Sequence, residues 1–271
     1  MKHKNIKINF LCLSITVLCI SLFSCKKKND DVNASSNTSN GSTPKGTLML
    51  HLHNYIDNVE VDDYNIVYTT STDGRKISLS KGQFYLSNIE LIKLDGSVYS
   101  IPDSIVLKLQ EIETYTVADV PVGNYKSVRF YVGLNPTVNQ KTPSSSVSDV
   151  LNKSDMWYGS TAQPQGYVYM NISGKIDTTS SATGTVANMQ PFKYLIGTNA
   201  NYKQITMPDQ NYSITPNQVQ YIHLLADYSK LFSGIQLNNN NNLTLLTPAD
   251  NAGLLGIKLG NNMSTIFSYE E

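Results

Sequence analysis

The sequence predicts an all-β domain, a single antiparallel β-sandwich with one or two short helices. Three observations predict it. Apolar residues recur at every second position in segment after segment. Asp-Gly, Pro-x-Gly and related turn signals separate those segments by roughly 8 to 12 residues. Only 15% of residues are charged, while Asn, Ser and Thr are abundant. That is the profile of an exported β-protein with polar, uncharged loops.

The first 24 residues read as an export leader. Lys2, Lys4 and Lys7 form a basic start, and an apolar run from Ile8 follows. The run has the length of a signal peptide's apolar region and is slightly short for a spanning helix. It ends in Leu22-Phe23-Ser24-Cys25, which resembles the lipobox of bacterial lipoproteins. The resemblance implies that Cys25 becomes the first mature residue and carries acyl chains, each buried methylene adding roughly 0.8 kcal/mol of membrane affinity. All three cysteines, Cys12, Cys19 and Cys25, lie at or before this point. The mature chain is therefore expected to have neither a disulfide nor a free thiol, and its stability must come from its core.

Residues 25–45 form the expected lipid-anchored linker. Lys26-Lys27-Lys28 and Asp30-Asp31 sit directly behind the cysteine, as in the sorting signals of some Gram-negative lipoproteins. A Ser/Asn/Thr/Gly-rich stretch follows that cannot bury a core. The expected location is the bacterial cell envelope, on the outer membrane, with the membrane face open. Without a leader that holds three lysines and no acid, the chain has a slight acidic excess. No basic face argues for nucleic acid.

The folded domain is expected over 46–271. Gly46–His53 alternates strictly, with Leu48, Leu50 and Leu52 on one face and Thr47, Met49, His51 and His53 on the other. Asn65–Gly74 and Lys76–Ser80 flank an Asp-Gly turn. Phe84–Leu94 alternates over eleven residues into Asp95-Gly96, and Ser97–Ile101 returns. Ile105–Leu109 is a short strand. In Pro121–Gly133 a Pro-x-Gly turn enters a strand with Val128, Phe130 and Val132 on one face. Gly166–Gly174 and Gln220–Ala226 are later strands. Helical signals are confined to Ser146–Asn152, Asp227–Gly234 and Asp250–Asn262. Asn238–Asn242 reads as a low-complexity connector.

Taken together and in order, several blocks resemble the MbnP-like proteins. They include GTLMLHLHNYIDNVEV at 46–61, FYLSNIELIKLDGSVYSIPDS at 84–104 and VPVGNYKSVRFYVGLNPTVN at 120–139. They also include DMWY with GYVYMNISG at 155–174, YIHLLADYSKLFSG at 221–234 and TPADNAGLLGIKLGNNMSTIFS near the C-terminus. The resemblance implies a periplasmic copper-binding protein whose ion is held by histidines beside a tryptophan that a diheme partner oxidises to kynurenine. Several of the family's residues are replaced. Asn54 stands where the first strand usually ends in histidine, and Leu195 occupies a histidine position in Tyr194–Thr198. The C-terminal histidine motif reads Phe267–Glu271, and Trp157 is the one tryptophan. These departures imply that the family copper site is lost, leaving a non-enzymatic binding or accessory protein.

Two other functions stay open. His51 and His53, at i and i+2 on one strand face, have Cα atoms roughly 6 to 7 Å apart. They are the sharpest metal candidates, copper included, with Asn54 or a carboxylate as a further ligand. The plainer reading is two exposed polar residues. His223 is read as a packed or surface histidine. Trp157, Tyr158 and Tyr167 are the candidate ligand surface for a glycan or protein partner, against a packing role. No calcium loop is legible, and neither G-x-S-x-G, H-E-x-x-H nor a Walker loop is present. An enzyme is not expected.

Overall fold

Alternating apolar residues do form strands. The computed structural model describes residues 43–270 apart from 72, 144, 145, 147, 148, 161, 162 and 181–184. The leader, Cys25 and most of the linker lie outside the described residues. The first half contains β1 (Lys45–Ile56), β2 (Val59–Glu60), β3 (Tyr68–Thr69), β4 (Lys76–Lys93), β5 (Val98–Ser100), β6 (Ile105–Lys108), β7 (Thr114–Pro121) and β8 (Gly123–Val132). After it come α1 (Pro136–Asn139), β9 (Trp157–Ser160), β10 (Gln163–Asp177), β11 (Met189–Gly197), β12 (Lys203–Thr206) and β13 (Tyr212–Ile214). The chain ends in β14 (Val219–Asp227), β15 (Thr244–Leu245), α2 (Leu254–Met263) and β16 (Phe267–Tyr269).

Two sheets result. The smaller runs β16, β14, β1, with β7 and β2 pairing along the other edge of β1. The larger runs β12, β8, β4, β10, β11, β15, with short strands paired to β4, β8 and β10. Most pairings are antiparallel, as expected of the sandwich, but β1 pairs β14 in parallel, and so does β11 with β15. Parallel neighbours need a long crossover, and nearly the whole domain lies between β1 and β14.

One core is shared by both sheets. Leu48, Leu50, Leu52 and Ile56 of β1 meet Phe84, Leu86 and Leu91 of β4, Phe130 and Val132 of β8, and Ile222 and Leu224 of β14. Each such side chain contributes about 1.5–3 kcal/mol by leaving water. The alternate positions of β4 and β10 point the other way. There Tyr85, Tyr167 and Tyr169 join Leu107, Leu134, Met156 and Trp157 in a second cluster on the outer face of the larger sheet. Gly133, at φ +106°, is required there, because a Cβ would lie 2.4 Å from the Tyr169 ring.

Several boundaries differ from the sequence reading. Lys76–Ser80 and Phe84–Leu94 are one continuous strand, because a bulged pairing with β10 carries β4 through Lys81-Gly82-Gln83. Asn65–Gly74 keeps only the two residues of β3. No helix is described across Ser146–Asn152, of which 147 and 148 lie outside the described residues. The Asp227 cap does start a single-turn 3-10 helix, Tyr228–Phe232. The glycine-rich stretch near the C-terminus does form α2.

Tyr228 presents a test of this core. It is fully buried, and its hydroxyl has no hydrogen-bond partner among the described residues. Burial pushes the phenol far above its ordinary pKa. Tyr228→Phe removes an unpaired polar atom without changing the ring, so it should be neutral or stabilise by about 1 kcal/mol. Urea unfolding checks this, and a clear loss of stability would reveal a hidden partner for the hydroxyl.

Candidate functional site

The inward leucines of β1 fix where its histidines point. Leu50 and Leu52 are buried, so His51 and His53 face outward from the smaller sheet. The parallel register sets His51 opposite His223 and His53 opposite Leu225. His223 lies between buried Ile222 and Leu224, the same arrangement as His51 between Leu50 and Leu52. On the next strand, Tyr269 is opposite Leu224, which carries Glu270 alongside His223; the Glu270 amide donates to the His223 carbonyl at 3.4 Å.

Four donor atoms thereby form a closed ring of contacts. His51 Nδ1 is 3.0 Å from His223 Nδ1 and 3.4 Å from His53 Nε2. Glu270 Oε2 is 3.4 Å from His223 Nδ1 and 3.6 Å from His53 Nε2. His51 Nδ1 has one position for a proton, so it donates to at most one of its two nitrogen neighbours. Donors about 2.0–2.1 Å from a common ion stand about 2.9 Å apart at right angles and about 3.4 Å apart at the tetrahedral angle. The observed contacts fall in and just above that span, and His51, His223 and Glu270 have donor atoms all within 4.8 Å of one another, so these three fit a small cation with His53 adjoining them. The rings meet edge to face, His51 and His53 at 4.3 Å between centroids and His51 and His223 at 4.9 Å.

The remaining nitrogens of the first two histidines meet carboxylates. His53 Nδ1 contacts Glu60, delivered by the β1–β2 turn, where Glu60 pairs with Tyr55. His51 Nε2 is 3.6 Å from Glu113, at the end of the loop that joins β6 to β7. A carboxylate behind an imidazole fixes its tautomer and leaves the opposite nitrogen free to bind an ion. The site is partly enclosed. His53 is nearly buried, whereas the His223 side chain is 48% exposed. An open groove of about 450 Å³ borders it, lined by His223, Glu270, Tyr221, Gln220 and Asn211 among others.

The sequence candidates are thus partly reunited and partly dispersed. His51 and His53 join the ring. Asn54 does not, since it faces the core, where its Nδ2 donates to the Tyr64 hydroxyl at 2.8 Å. The expected ligand surface is corrected outright. Trp157, Tyr158 and Tyr167 are only 8%, 3% and 1% exposed. The Trp157 ring packs on Tyr167 at 6.5 Å, and the Tyr158 hydroxyl donates to the Leu195 carbonyl at 2.5 Å. Packing claims all three: Trp157 and Tyr167 belong to the outer cluster with Leu134 and Met156, and the Tyr158 hydroxyl is held by Leu195 and Asn251. Sequence reasoning missed His223, Glu270, Glu60 and Glu113. Only His223 carried a signal, as a histidine flanked by core residues in a strand.

The MbnP family model matches residues 45–247, a segment that includes the three histidines and stops before Glu270. Among solved structures, MbnP from Methylosinus trichosporium is similar at 14% identity, with a TM-score of 0.48, over 69% of this chain and 78% of that one. No curated protein matches the sequence.

Proposed function

The chain belongs to the MbnP family, and from that premise we propose that it is a metal-binding protein of the bacterial cell envelope. Its site is His51, His53, His223 and Glu270, and copper is the ion the family relationship favours. One observation carries this reading: three imidazole nitrogens and one carboxylate oxygen linked in a ring by contacts of 3.0–3.6 Å. Imidazole suits copper and zinc alike. His51, His223 and Glu270 place their donor atoms within 4.8 Å of one another, with His53 Nε2 beside His51 at 3.4 Å, and the role proposed is the non-enzymatic one of holding or passing on an ion. The replacements at Asn54, Leu195 and the C-terminus still mark a departure from the family's usual histidines; of the proposed ligands, Glu270 alone lies in one of these replaced segments. Attachment to the outer membrane through Cys25 completes the reading.

A second reading, an accessory protein with no ion, keeps the replaced family histidines as its support. Titration with copper(I), copper(II) and zinc separates the two. One equivalent bound at sub-micromolar affinity, and lost in His51→Ala/His53→Ala, is expected. Binding no stronger than in that double variant would overturn the metal reading. Acid should weaken binding and metal uptake should release protons, because imidazole binds an ion only when deprotonated. A proton count at several pH values checks the sign.

A further inference from the structure

Lys108 is out of place. It ends β6 with its side chain on the core face, and it is 1% exposed. Burying an ammonium is costly unless it is paired, yet no carboxylate lies within 4 Å of it among the described residues. Its Nζ donates to the Ile112 carbonyl at 2.6 Å. That same carbonyl accepts the Tyr115 hydroxyl at 2.7 Å, and the Tyr115 oxygen in turn accepts the Leu109 amide at 2.8 Å. The connection from β6 of the larger sheet to β7 of the smaller is therefore held from within by two side chains converging on one carbonyl.

The next residue is Glu113. Its carbonyl accepts the Leu52 amide at 2.8 Å, which docks the β6–β7 loop on β1 midway between His51 and His53. Its carboxylate stands behind His51. Burial drives the Lys108 amine down to about 8, opposed by the charges of Glu113 and Glu60. Those are the two carboxylates that back His51 and His53.

We propose that Lys108 is a positioning residue for the metal site: with Tyr115 it grips the Ile112 carbonyl, and through that grip on the preceding residue it holds Glu113 behind His51. This rests on the metal-binding reading above. An ammonium inside the fold attracts that carboxylate more strongly than it would in water. Glu113 then keeps the proton on His51 Nε2, so that His51 Nδ1 presents its lone pair to the ion. Lys108 touches neither the ion nor its ligands and acts through Glu113 alone.

The test is a double-mutant cycle in the full chain, read as copper(I) and zinc affinity by chelator competition. Lys108→Met should weaken binding about 10–100-fold, the range for loss of an outer partner of a metal ligand. Glu113→Gln should weaken it similarly. The double variant should be little worse than Glu113→Gln alone, because both changes act on one carboxylate. Additive losses, or unchanged affinity in folded Lys108→Met, would overturn the proposal. Should Lys108→Met fail to fold, Tyr115→Phe decides: it keeps the lysine and removes one grip on Ile112. A folded Tyr115→Phe chain with wild-type affinity would overturn the proposal too. If the wild-type chain binds neither ion, the metal-binding reading itself has failed, a result distinct from the others.

Discussion

His223→Ala should abolish tight metal binding while leaving the fold intact. His223 provides one donor of the close triad with His51 and Glu270, and its nitrogen makes two of the four contacts in the ring. Its loss should cost more than the about 10–100-fold typical of an outer partner. The fold should not notice. The side chain is half exposed, and β14 is anchored by Ile222 and Leu224 on its other face. Surface changes of this kind stay within about 0.5 kcal/mol. Competition titration and urea unfolding on the same preparation make the comparison. Unchanged affinity would shift the ligand set to His51, His53 and Glu113, the alternative triad whose donor atoms lie within 4.8 Å of one another.

Asn251→Leu should be among the most destabilising single changes in the domain. Asn251 is 1% exposed and lies just before α2. Its Oδ1 accepts the Gly197 amide at 2.9 Å and Asn201 Nδ2 at 3.0 Å. Its Nδ2 faces the Tyr158 hydroxyl at 3.0 Å, the Leu195 carbonyl at 3.1 Å and the Thr247 carbonyl at 2.9 Å. One amide thus ties together β11, β9 and the approach to α2. Leucine fills similar space and satisfies none of these groups. Each orphaned buried partner costs about 1–3 kcal/mol, so a total loss of roughly 3–5 kcal/mol is expected after partial relaxation. Urea unfolding measures it, and a loss below about 1 kcal/mol would mean that water replaces the amide with little penalty.

These two residues differ in how far the sequence announces them. His223 stands in a legible strand, Gln220–Ala226, whose alternation already places it opposite the buried positions. What the alternation leaves open is its neighbour. Asn251 gives no warning, because an asparagine in Ala-Asp-Asn-Ala-Gly reads as a loop residue. Its value comes from partners 50, 54 and 93 positions away. The aromatic residues fail in the opposite sense. Trp157, Tyr158 and Tyr167 read as a surface because periodicity cannot tell an exposed sheet face from one covered by another segment of the chain.

The all-β class, the main strands, the inward leucines of β1 and hence the outward His51 and His53 are legible in the order of residues alone. Those features follow from local rules: side chains alternate every two residues along a strand, and apolar ones seek the core. The sequence also carried the family blocks. The tertiary structure alone decided what stands beside the two histidines. His51 and His223 are 172 residues apart and meet through a parallel pairing whose register no local pattern encodes. Glu270 arrives just after the last described strand, Glu60 on the hairpin return of β2, and Glu113 in the loop before β7. A metal site needs donors within a few ångströms of one point, and such convergence is a property of strand order and register, which are settled by packing the whole core.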